Sequence, residues 1–351
     1  MPISGRMPSV RCNRSHGREQ GLRQERLPLL LNGSQIPLMD VLPHHSFFLP
    51  AGTNVVYSPG AGMTPSPHRT IQHSSPLLHE IREKGYTPVD MHIHTHHSDG
   101  AIRVPSLLAR ARTLGIGVAV TDHMEIRGAI EACRRPHEVL VIPGVELNSH
   151  EGPHILLYFY TPDDLAEFFA THIRGDLTKS QYRALYLPVA KILESAAGYR
   201  CVKIAAHPFG YFGIDRGVLK CIEKKTLPAG TINCIDGIEV ICGAMGRDLN
   251  EKAARYAGEY DLPITGGSDA HVLPAVGGVV TGVKAESVDG FLDGILSKES
   301  IVIGSTASPL HQGMSAGVIG WNYLPAAVST LQVHFEESIP RLKRYLAGLL
   351  R

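Results

Sequence analysis

The sequence has no charge bias that would draw the chain to a particular kind of surface. Its 34 Lys and Arg residues nearly balance 33 Asp and Glu residues, which leaves a formal net charge of +1. Proteins that coat nucleic acid or an anionic membrane carry a strong basic excess, so both classes are disfavoured. The sequence also lacks an apolar run long enough to span a bilayer. Its 43% hydrophobic content predicts a soluble globular protein with a sizeable core.

Cysteine is scarce as well. Six cysteines are spread irregularly over 351 residues, and none forms a CxxC pair. This pattern excludes a disulfide framework and a cysteine zinc site, and a reducing cytoplasm is the default location. The composition indicates neither membrane association nor an obligate protein partner.

The N-terminal segment contains no lysine before Lys84 and shows neither helical nor strand periodicity. Residues 1–84 are therefore predicted to be a disordered extension. The abrupt change in composition also fits an over-extended reading frame with a true start at a residue such as Met63. The sequence leaves this alternative open.

From Val89, short apolar runs alternate with amphipathic segments, a pattern typical of an α/β fold on a mainly parallel sheet. We assign residues 85–305 to one domain and 306–351 to a tail with a packing helix at Phe335–Leu350. Predicted helices are Val104–Leu114, Ser180–Ala197, Leu249–Glu259 with Asp248 as its cap, and Val288–Ser297. Predicted barrel strands are Val89–His94, Gly117–Thr121, Val139–Ile142, His154–Tyr160, Val202–Ala206, Gly237–Ile241 and Pro263–Thr265, followed by a closing strand at Ile301–Ile303.

Histidine is the residue in excess, with 19 copies against a single tryptophan. Many of these histidines, together with three carboxylates, fall at the ends of the predicted strands, where functional residues of a parallel barrel gather. All but the sixth barrel strand contribute at least one potential metal ligand. The nine candidates are His92, His94, Asp99, His123, Glu146, His154, His207, Asp269 and His271.

A mixture of imidazole and carboxylate ligands without thiolate suits Mn²⁺, Fe²⁺ or Zn²⁺. Nine ligands exceed what one ion can use, so two or three divalent ions are expected. Glu146 is the natural bridge, because a carboxylate can offer one oxygen to each of two cations. Clustered cations generate a metal-bound hydroxide and neutralise charge on phosphoryl oxygens, which predicts hydrolysis of a phosphoester.

Six ordered motifs resemble the PHP family, named for polymerase and histidinol phosphatase. They are Asp90–Thr95, Ser98–Gly100, Thr121–His123, Pro143–Glu146, Ala206–Pro208 and Gly267–His271. The resemblance covers about residues 86–305 and includes the carboxyl-terminal module of stand-alone PHP phosphoesterases. It implies a distorted (β/α)7 TIM-like barrel with a trinuclear site.

The same resemblance implies how the ligands are shared. His92, His94, Glu146 and Asp269 would hold one ion. Glu146 would bridge to a second ion held by His154 and His207. The third ion would be held by Asp99, His123 and His271. The fourth-strand ligand is the least secure of the set, because His150 lies close to His154 in sequence.

Family members that act on nucleotides often carry a long helical insertion before the fifth strand. Here Thr161–Arg200 leaves room for only about two helices, so nucleotide specificity is not inherited from the resemblance.

Several other residues have two interpretations. Asp122 either orients a neighbouring ligand or caps a turn. Glu239 lies on the strand without a ligand, and either lines the site or is an ordinary buried polar residue. Arg127 and Lys203 are candidate phosphate contacts or framework charges. His96 and His97 lie in the first catalytic loop, as substrate contacts or as solvated side chains.

The leading hypothesis is a metal-dependent phosphatase that acts on a small phosphomonoester. The alternative within the hydrolases is a 5′–3′ exonuclease or a nucleotide phosphodiesterase or phosphatase, for which a nucleotide or short oligonucleotide would be the partner. A non-catalytic metal-binding accessory module is the alternative from another class. That module predicts missing ligands, and none is missing here.

Overall fold

The computed structural model describes residues 70–177, 187–210, 217–322 and 324. Its strands are β1 (Ile71–His73), β2 (Thr87–Ile93), β3 (Gly117–Val120), β4 (Val141–Asn148), β5 (His154–Phe159), β6 (Cys201–Ala205), β7 (Gly237–Cys242), β8 (Ile264–Gly267), β9 (Val279–Val283) and β10 (Ile301–Gly304). Its helices are α1 (Leu78–Glu83), α2 (Val104–Leu114), α3 (Arg127–Arg134), α4 (Pro162–Phe168), α5 (Val189–Ala196), α6 (Val218–Glu223), α7 (Arg247–Glu259), α8 (Val288–Leu296) and α9 (309–322).

Local signals set several helix ends. Helix α2 ends at Gly115, which adopts a left-handed conformation with φ of 65°. Helix α8 begins after Ser287, whose hydroxyl accepts a hydrogen bond from Gly290 N at 3.2 Å. The predicted cap of α7 is wrong, because the helix begins after Gly246 and Asp248 lies inside its first turn. A carboxylate there still interacts favourably with the helix dipole.

The strands form one sheet in the order β1-β10-β9-β2-β3-β4-β5-β6-β7-β8. The pairings β2–β3, β3–β4, β6–β7 and β7–β8 are parallel, as predicted. Strand β5 differs, because it runs antiparallel to both β4 and β6. The connection from β4 to β5 spans only residues 149–153, too few for the crossover that a parallel pair requires.

The sheet curls until β8 reaches β2. His94 N donates to Ala270 O at 2.9 Å, and Ala270 N donates to His92 O at 3.3 Å. Asp90 accepts further hydrogen bonds from the amide and hydroxyl of Ser268, at 2.8 and 2.6 Å. The curled half-barrel of β2–β8 confirms the predicted α/β fold and brings the ends of seven strands around one space.

Two apolar clusters stabilise this arrangement. The larger one lies between the sheet and most of the helices. The smaller one joins α8, through Phe291 and Ile295, to Met91 of β2 and Tyr158 of β5. The Tyr158 hydroxyl is buried but not unpaired, since it donates to Met91 O at 2.6 Å. Each fully buried side chain of this size contributes about 1.5–3 kcal/mol by leaving water.

The folded elements begin earlier than the predicted boundary at residue 85. Strand β1 pairs in parallel with β10, with Ile71 opposite Val302, and α1 follows it. The strand and helix within residues 71–83 are therefore folded, although the prediction placed these residues in the disordered extension. The predicted disorder of residues 1–69 and the predicted helix Phe335–Leu350 both lie outside the described residues. The predicted helix Ser180–Ala197 is seen as α5 in its described part.

None of the helices in the described ranges has the length and apolar character needed to cross a bilayer.

Candidate metal centre

The curled sheet brings all nine predicted ligands to one side of the fold. Strand β2 carries His92 and leads into His94, and the ends of β3, β6 and β8 lead into histidine or aspartate ligands. His154 stands at the start of β5, which runs antiparallel, so it pairs with Asn148 at the end of β4. The start of β5 therefore lies at the same edge as the end of β4. All nine side chains are buried: His92, His94, Asp99, His123, Glu146, His154, His207, Asp269 and His271.

Glu146 on β4 is the centre of the group. Its Oε1 lies 2.8 Å from His154 Nδ1 and 3.1 Å from His207 Nε2. Its Oε2 lies 3.1 Å from His123 Nδ1 and 3.2 Å from His92 Nε2. Burial alone would raise the pKa of Glu146, but the surrounding histidines hold that pKa well below its usual value. The carboxylate is therefore ionised, and each of its two oxygens faces a different pair of histidines.

Asp269 forms a second focus with the two histidines of β2. Its Oδ1 lies 3.1 Å from His94 Nε2 and 3.7 Å from His92 Nε2. Burial would raise the pKa of Asp269, but His92 and the other nearby histidines lower that pKa well below its usual value. Burial would likewise lower the pKa of His92, yet its carboxylate neighbours, with Glu239 foremost, raise it well above 6.5.

Asp99, in the loop after β2, forms the third focus. Its Oδ2 lies 3.3 Å from His271 Nε2 and 3.7 Å from His123 Nε2. Burial would lower the pKa of His271, but Asp99 and Asp269 outweigh burial and raise that pKa to about 9. Burial dominates at His154, whose pKa falls to about 3.

The residues fit divalent metal ions on a direct structural test. Both ring nitrogens of His94 and Nε2 of His271 are buried, and none is aligned for a hydrogen bond within the part of the chain that is described, even where a carboxylate oxygen lies 3.1–3.3 Å away. Such a buried nitrogen is costly unless another group, such as a cation, satisfies it. Two ligands bound about 2.1 Å from one ion lie about 3.0–3.4 Å apart. Several of the distances above fall in that range.

The ligand atoms form three groups within which all atoms lie within 4.8 Å of one another. The groups are His94, Asp99, His123 and His271; His92, His94 and Asp269; and His123, Glu146 and His154. His94 and His123 each belong to two groups, whereas the sequence analysis gave each to one ion. The division of the ligands among three ions remains a prediction.

Glu239 on β7 supports the ligands from behind. Its Oε1 lies 3.0 Å from His92 Nδ1, and its Oε2 accepts a hydrogen bond from His207 N at 2.7 Å. Of its two interpretations, the structure therefore favours a role at the site. A carboxylate on the far nitrogen of a ligand histidine fixes the ring orientation and its tautomer.

Sequence reasoning missed Asn148. Its Oδ1 lies 3.1 Å from His123 Nδ1, the nitrogen that also faces Glu146. The signal was present, because Asn148 is two residues after Glu146 on the same strand, and such residues share a face.

Asp122 organises the loop that carries Asp99. It accepts hydrogen bonds from Thr95 N, Thr95 Oγ1 and Ser98 Oγ, each at 2.6 Å. Helix α3 approaches closely here, since a Cβ on Gly128 would lie 2.1 Å from Asp122 Oδ2. Asp122 thus positions the backbone of the ligand loop, and its hydrogen bonds are to Thr95 and Ser98 instead of a ligand histidine.

Two predicted ligands have unusual backbone conformations. Asp269 has φ of 51° and His207 has φ of 27°, in the left-handed region that residues other than glycine rarely adopt. Such a conformation costs about 1–3 kcal/mol and persists where the surroundings impose it. The hydrogen bond from His207 N to Glu239 is one such restraint.

The structure distinguishes between the two candidate ligands His154 and His150, which are close in sequence. His154 is buried against Glu146, whereas the His150 side chain is exposed. Their positions favour His154 as the ligand.

The candidate phosphate contacts have other partners. Arg127 is exposed and pairs with Glu125 at 2.7 Å, and Lys203 Nζ lies 2.7 Å from Asp236 Oδ2. Both therefore fit the framework interpretation.

Comparison with known proteins places two family models on the chain. The model described as "PHP domain" matches residues 90–214, and the model described as "PHP-associated" matches residues 247–300. No curated protein matches the sequence.

Solved structures with a similar fold include PsfC of Pseudomonas syringae, with 20% identity, 67% of this chain and 98% of that chain covered, and a TM-score of 0.49. A two-domain protein of Bacteroides vulgatus that contains a predicted PHP-like metal-dependent phosphoesterase shows 17% identity, coverage of 67% and 68%, and a TM-score of 0.44. The lesion-specific endonuclease Q of Pyrococcus furiosus shows 19% identity, coverage of 62% and 57%, and a TM-score of 0.49. At such low identity, what these proteins act on is not carried over.

Proposed function

Because the chain carries a PHP domain with its PHP-associated region, and so is a PHP-type metal-dependent phosphoesterase and a hydrolase, we propose that it removes phosphate from a small phosphomonoester at a site for three divalent ions. The observation that carries this proposal is the convergence of six histidines and three carboxylates around Glu146. Mn²⁺, Fe²⁺ and Zn²⁺ suit these ligands. A cytoplasmic location is part of the same proposal.

Bound ions would lower the pKa of a coordinated water and offset negative charge on the phosphoryl oxygens. The protein's own contribution is to hold the ligands in place before substrate arrives. Glu146 keeps histidines from β2, β5 and the loop after β6 within about 3 Å of its two oxygens. Glu239 fixes the ring of His92, and Asp122 fixes the loop of Asp99. Electrostatic preorganisation of this kind is usually the largest single contribution to enzyme catalysis.

The depth of the site favours a small substrate with a terminal phosphate. His92 and His94 are fully buried, and His123 is only 7% exposed. An internal phosphodiester carries a nucleotide on each side, and both would have to approach ligands that are this deeply buried. The near-neutral net charge also gives little attraction for a polynucleotide. A nuclease or nucleotide phosphatase that takes a chain terminus stays the alternative.

Phosphate release from a panel of phosphorylated sugars, amino alcohols, nucleotides and short oligonucleotides tests the proposal, together with elemental analysis of the purified protein. We expect about three ions per chain and phosphate release from a monoester. If the protein binds about three metal ions per chain but releases phosphate from none of the compounds, the metal site is supported and the phosphatase reaction is refuted.

Replacement of the ligands is the second test. His92→Ala and Asp269→Ala are expected to lose activity by about 100-fold or more while the circular dichroism spectrum is retained. His154→Ala is expected to lose bound metal, and His150→Ala serves as its matched control because the His150 side chain is exposed. Full activity in a His92→Ala, Asp269→Ala double variant would contradict the proposal.

A further inference from the structure

Asn250 on helix α7 is a buried amide outside the predicted ligand set. The residue is 1% exposed and lies in the first turns of the helix. Asparagine is a poor helix former, and its amide is costly to bury unless it is hydrogen-bonded. A buried asparagine at this position therefore needs a specific partner.

The partner of Asn250 is the backbone of a single residue, Cys242 at the end of β7. Asn250 Oδ1 accepts a hydrogen bond from Cys242 N at 3.0 Å, and Asn250 Nδ2 donates a hydrogen bond to Cys242 O at 3.0 Å. One side chain therefore pairs both backbone polar groups of Cys242. Because hydrogen bonds are directional, the two together fix the orientation of that residue.

Cys242 in turn contacts the predicted ligand Asp269. Both side chains are buried, and Cys242 Sγ donates a hydrogen bond to Asp269 Oδ2 at 3.6 Å. The other carboxylate oxygen, Oδ1, faces His94 and His92. The carboxylate therefore has one oxygen toward the two histidines and the other toward the thiol.

The segments that carry Cys242 and Asp269 pack directly against each other. Gly243 N donates a hydrogen bond to Gly267 O at 3.0 Å, and a Cβ on Gly243 would lie 2.5 Å from Ser268 O. Asp269 itself has a left-handed backbone with φ of 51°, a conformation that persists where the surroundings impose it. The thiol is thus held at a fixed distance from a carboxylate whose backbone is strained.

We propose that Asn250 and Cys242 position the carboxylate of Asp269 for metal binding. Asn250 holds the backbone of Cys242, and the Cys242 thiol holds Oδ2 so that Oδ1 faces the ion. Neither side chain touches the ion or the substrate. The inference rests on the proposed function only in taking Asp269 as a metal ligand. Cys242 lies between the ranges that the two family models match, so membership of the family does not assign this role to it.

Titration with Co²⁺ tests the proposal without substrate, because the visible absorption of this ion reports its ligand arrangement as well as its binding. Cys242→Ala removes the donor, whereas Cys242→Ser keeps an O–H donor in its place. We expect Cys242→Ala to weaken one step of the titration about 10-fold or more and to change the visible spectrum. Cys242→Ser should restore most of the affinity and the original spectrum. Equal losses in the two variants would show that the thiol does not act as a donor and would overturn the proposal.

Cys201→Ala is the matched control. Cys201 is also buried, but its thiol donates to the carbonyl oxygen of Ala196, and it lies at the opposite end of β6 from His207. Its replacement should leave the Co²⁺ titration unchanged. Circular dichroism and urea unfolding establish that each variant is folded. A loss in Cys201→Ala as large as that in Cys242→Ala would contradict a specific role for Cys242.

The same spectra distinguish positioning from direct coordination. A thiolate is a soft ligand, and a thiolate bound to Co²⁺ gives an intense charge-transfer band in the near ultraviolet. We expect no such band in the unaltered protein. A band that disappears in Cys242→Ala and remains in Cys201→Ala would make Cys242 a ligand and overturn its role in positioning.

A double-mutant cycle tests the contribution of Asn250. Asn250→Ala is expected to weaken the same step of the titration as Cys242→Ala. If Asn250 acts through Cys242, the loss in the double variant is smaller than the two single losses combined. Independent losses would refute the link between the two residues.

Metal binding and phosphate release separate this inference from the proposed function. If the variants differ in Co²⁺ binding as expected but the unaltered protein releases no phosphate, the reaction is refuted and the inference holds. If the unaltered protein releases phosphate and all variants bind Co²⁺ equally, the inference alone is refuted.

Discussion

Glu146 shows how one side chain can hold a multi-metal site together. Each carboxylate oxygen faces at least two imidazoles, and these imidazoles come from four different strand ends. No other residue of the site contacts so many of the predicted ligands at about 3 Å. Loss of this carboxylate would leave several buried histidines facing one another without a shared anion, a costly arrangement in a low-dielectric interior.

Glu239 provides the sharpest prediction for a single residue. Glu239→Gln keeps one acceptor oxygen and replaces the other by an amide NH₂, which only donates, so the side chain can no longer accept hydrogen bonds from both His92 Nδ1 and His207 N. We expect metal affinity to fall about 10–100-fold with the fold retained. Competition with a fluorescent chelator measures the affinity.

Glu259→Gln is the control for this prediction, since Glu259 is exposed at the end of α7. Equal metal affinity in Glu239→Gln and the unaltered protein would show that Glu239 does not position the ligands.

The predicted ligands could be proposed from sequence because most of them lie beside an apolar run at the end of a strand, a pattern that is local in the chain. The supporting contacts were not predictable in the same way. Glu239 lies within an ordinary-looking strand sequence, and its partner His92 is 147 residues away. Nothing local in Gly237–Cys242 reveals that contact, so the two interpretations of Glu239 could be separated only by the fold.

At the scale of elements, the join between β8 and β2 depends on the absence of a side chain. A Cβ on Gly267 would lie 2.3 Å from His92 Cβ and 2.4 Å from His92 N. Neither atom can move without displacing the strand that carries two predicted ligands. A glycine within a strand is often the mark of such close backbone approach.

Gly267→Ala is therefore expected to destabilise the protein by about 1–3 kcal/mol, as overpacking of a well-packed region does. Urea unfolding followed by circular dichroism measures the change. Gly230→Ala is the control, because a Cβ there would meet no atom within 4 Å. If the two variants unfold at the same urea concentration, the strands do not pack as closely as described.

Strands and helices with strong local patterns were predicted close to their observed bounds. Helix α2 matches its predicted range of Val104–Leu114, and β5 begins at the predicted His154. Strand β9 and the antiparallel setting of β5 were not predicted. The direction and the partner of a strand depend on connection length and on packing across the sheet. The alternation of apolar residues along one segment contains no information about either.

For the molecule as a whole, the metal ions should act as a major source of stability. An ion present at 100 times its Kd stabilises the folded state by about 2.7 kcal/mol, and several ions add their effects. Removal of metal by a chelator is therefore expected to lower Tm markedly, measured by differential scanning calorimetry.

This stabilisation should grow as pH rises from 7 to 9. In the metal-free chain the pKa of His271 is raised to about 9, so the ring is protonated at pH 7 and must lose its proton to bind metal. The protonated ring also stabilises the metal-free fold below pH 6.5, and this contribution is lost as pH rises through 9. Both effects widen the Tm gap between metal-loaded and metal-free protein. A gap independent of pH would contradict the assignment of His271 as a ligand.

The hydrogen bond from Ser268 N to Asp90 joins residues that are 178 positions apart. It therefore cannot form until a long stretch of the chain has been synthesised. At about 5–20 residues per second, a ribosome needs roughly 9–36 s to make that intervening stretch. During this interval the nascent chain already displays His92 and His94 without the carboxylate of Asp269. The emerging chain therefore exposes part of its ligand set to metal ions before the set is complete, and β2 must wait for the residues after β8 to join it.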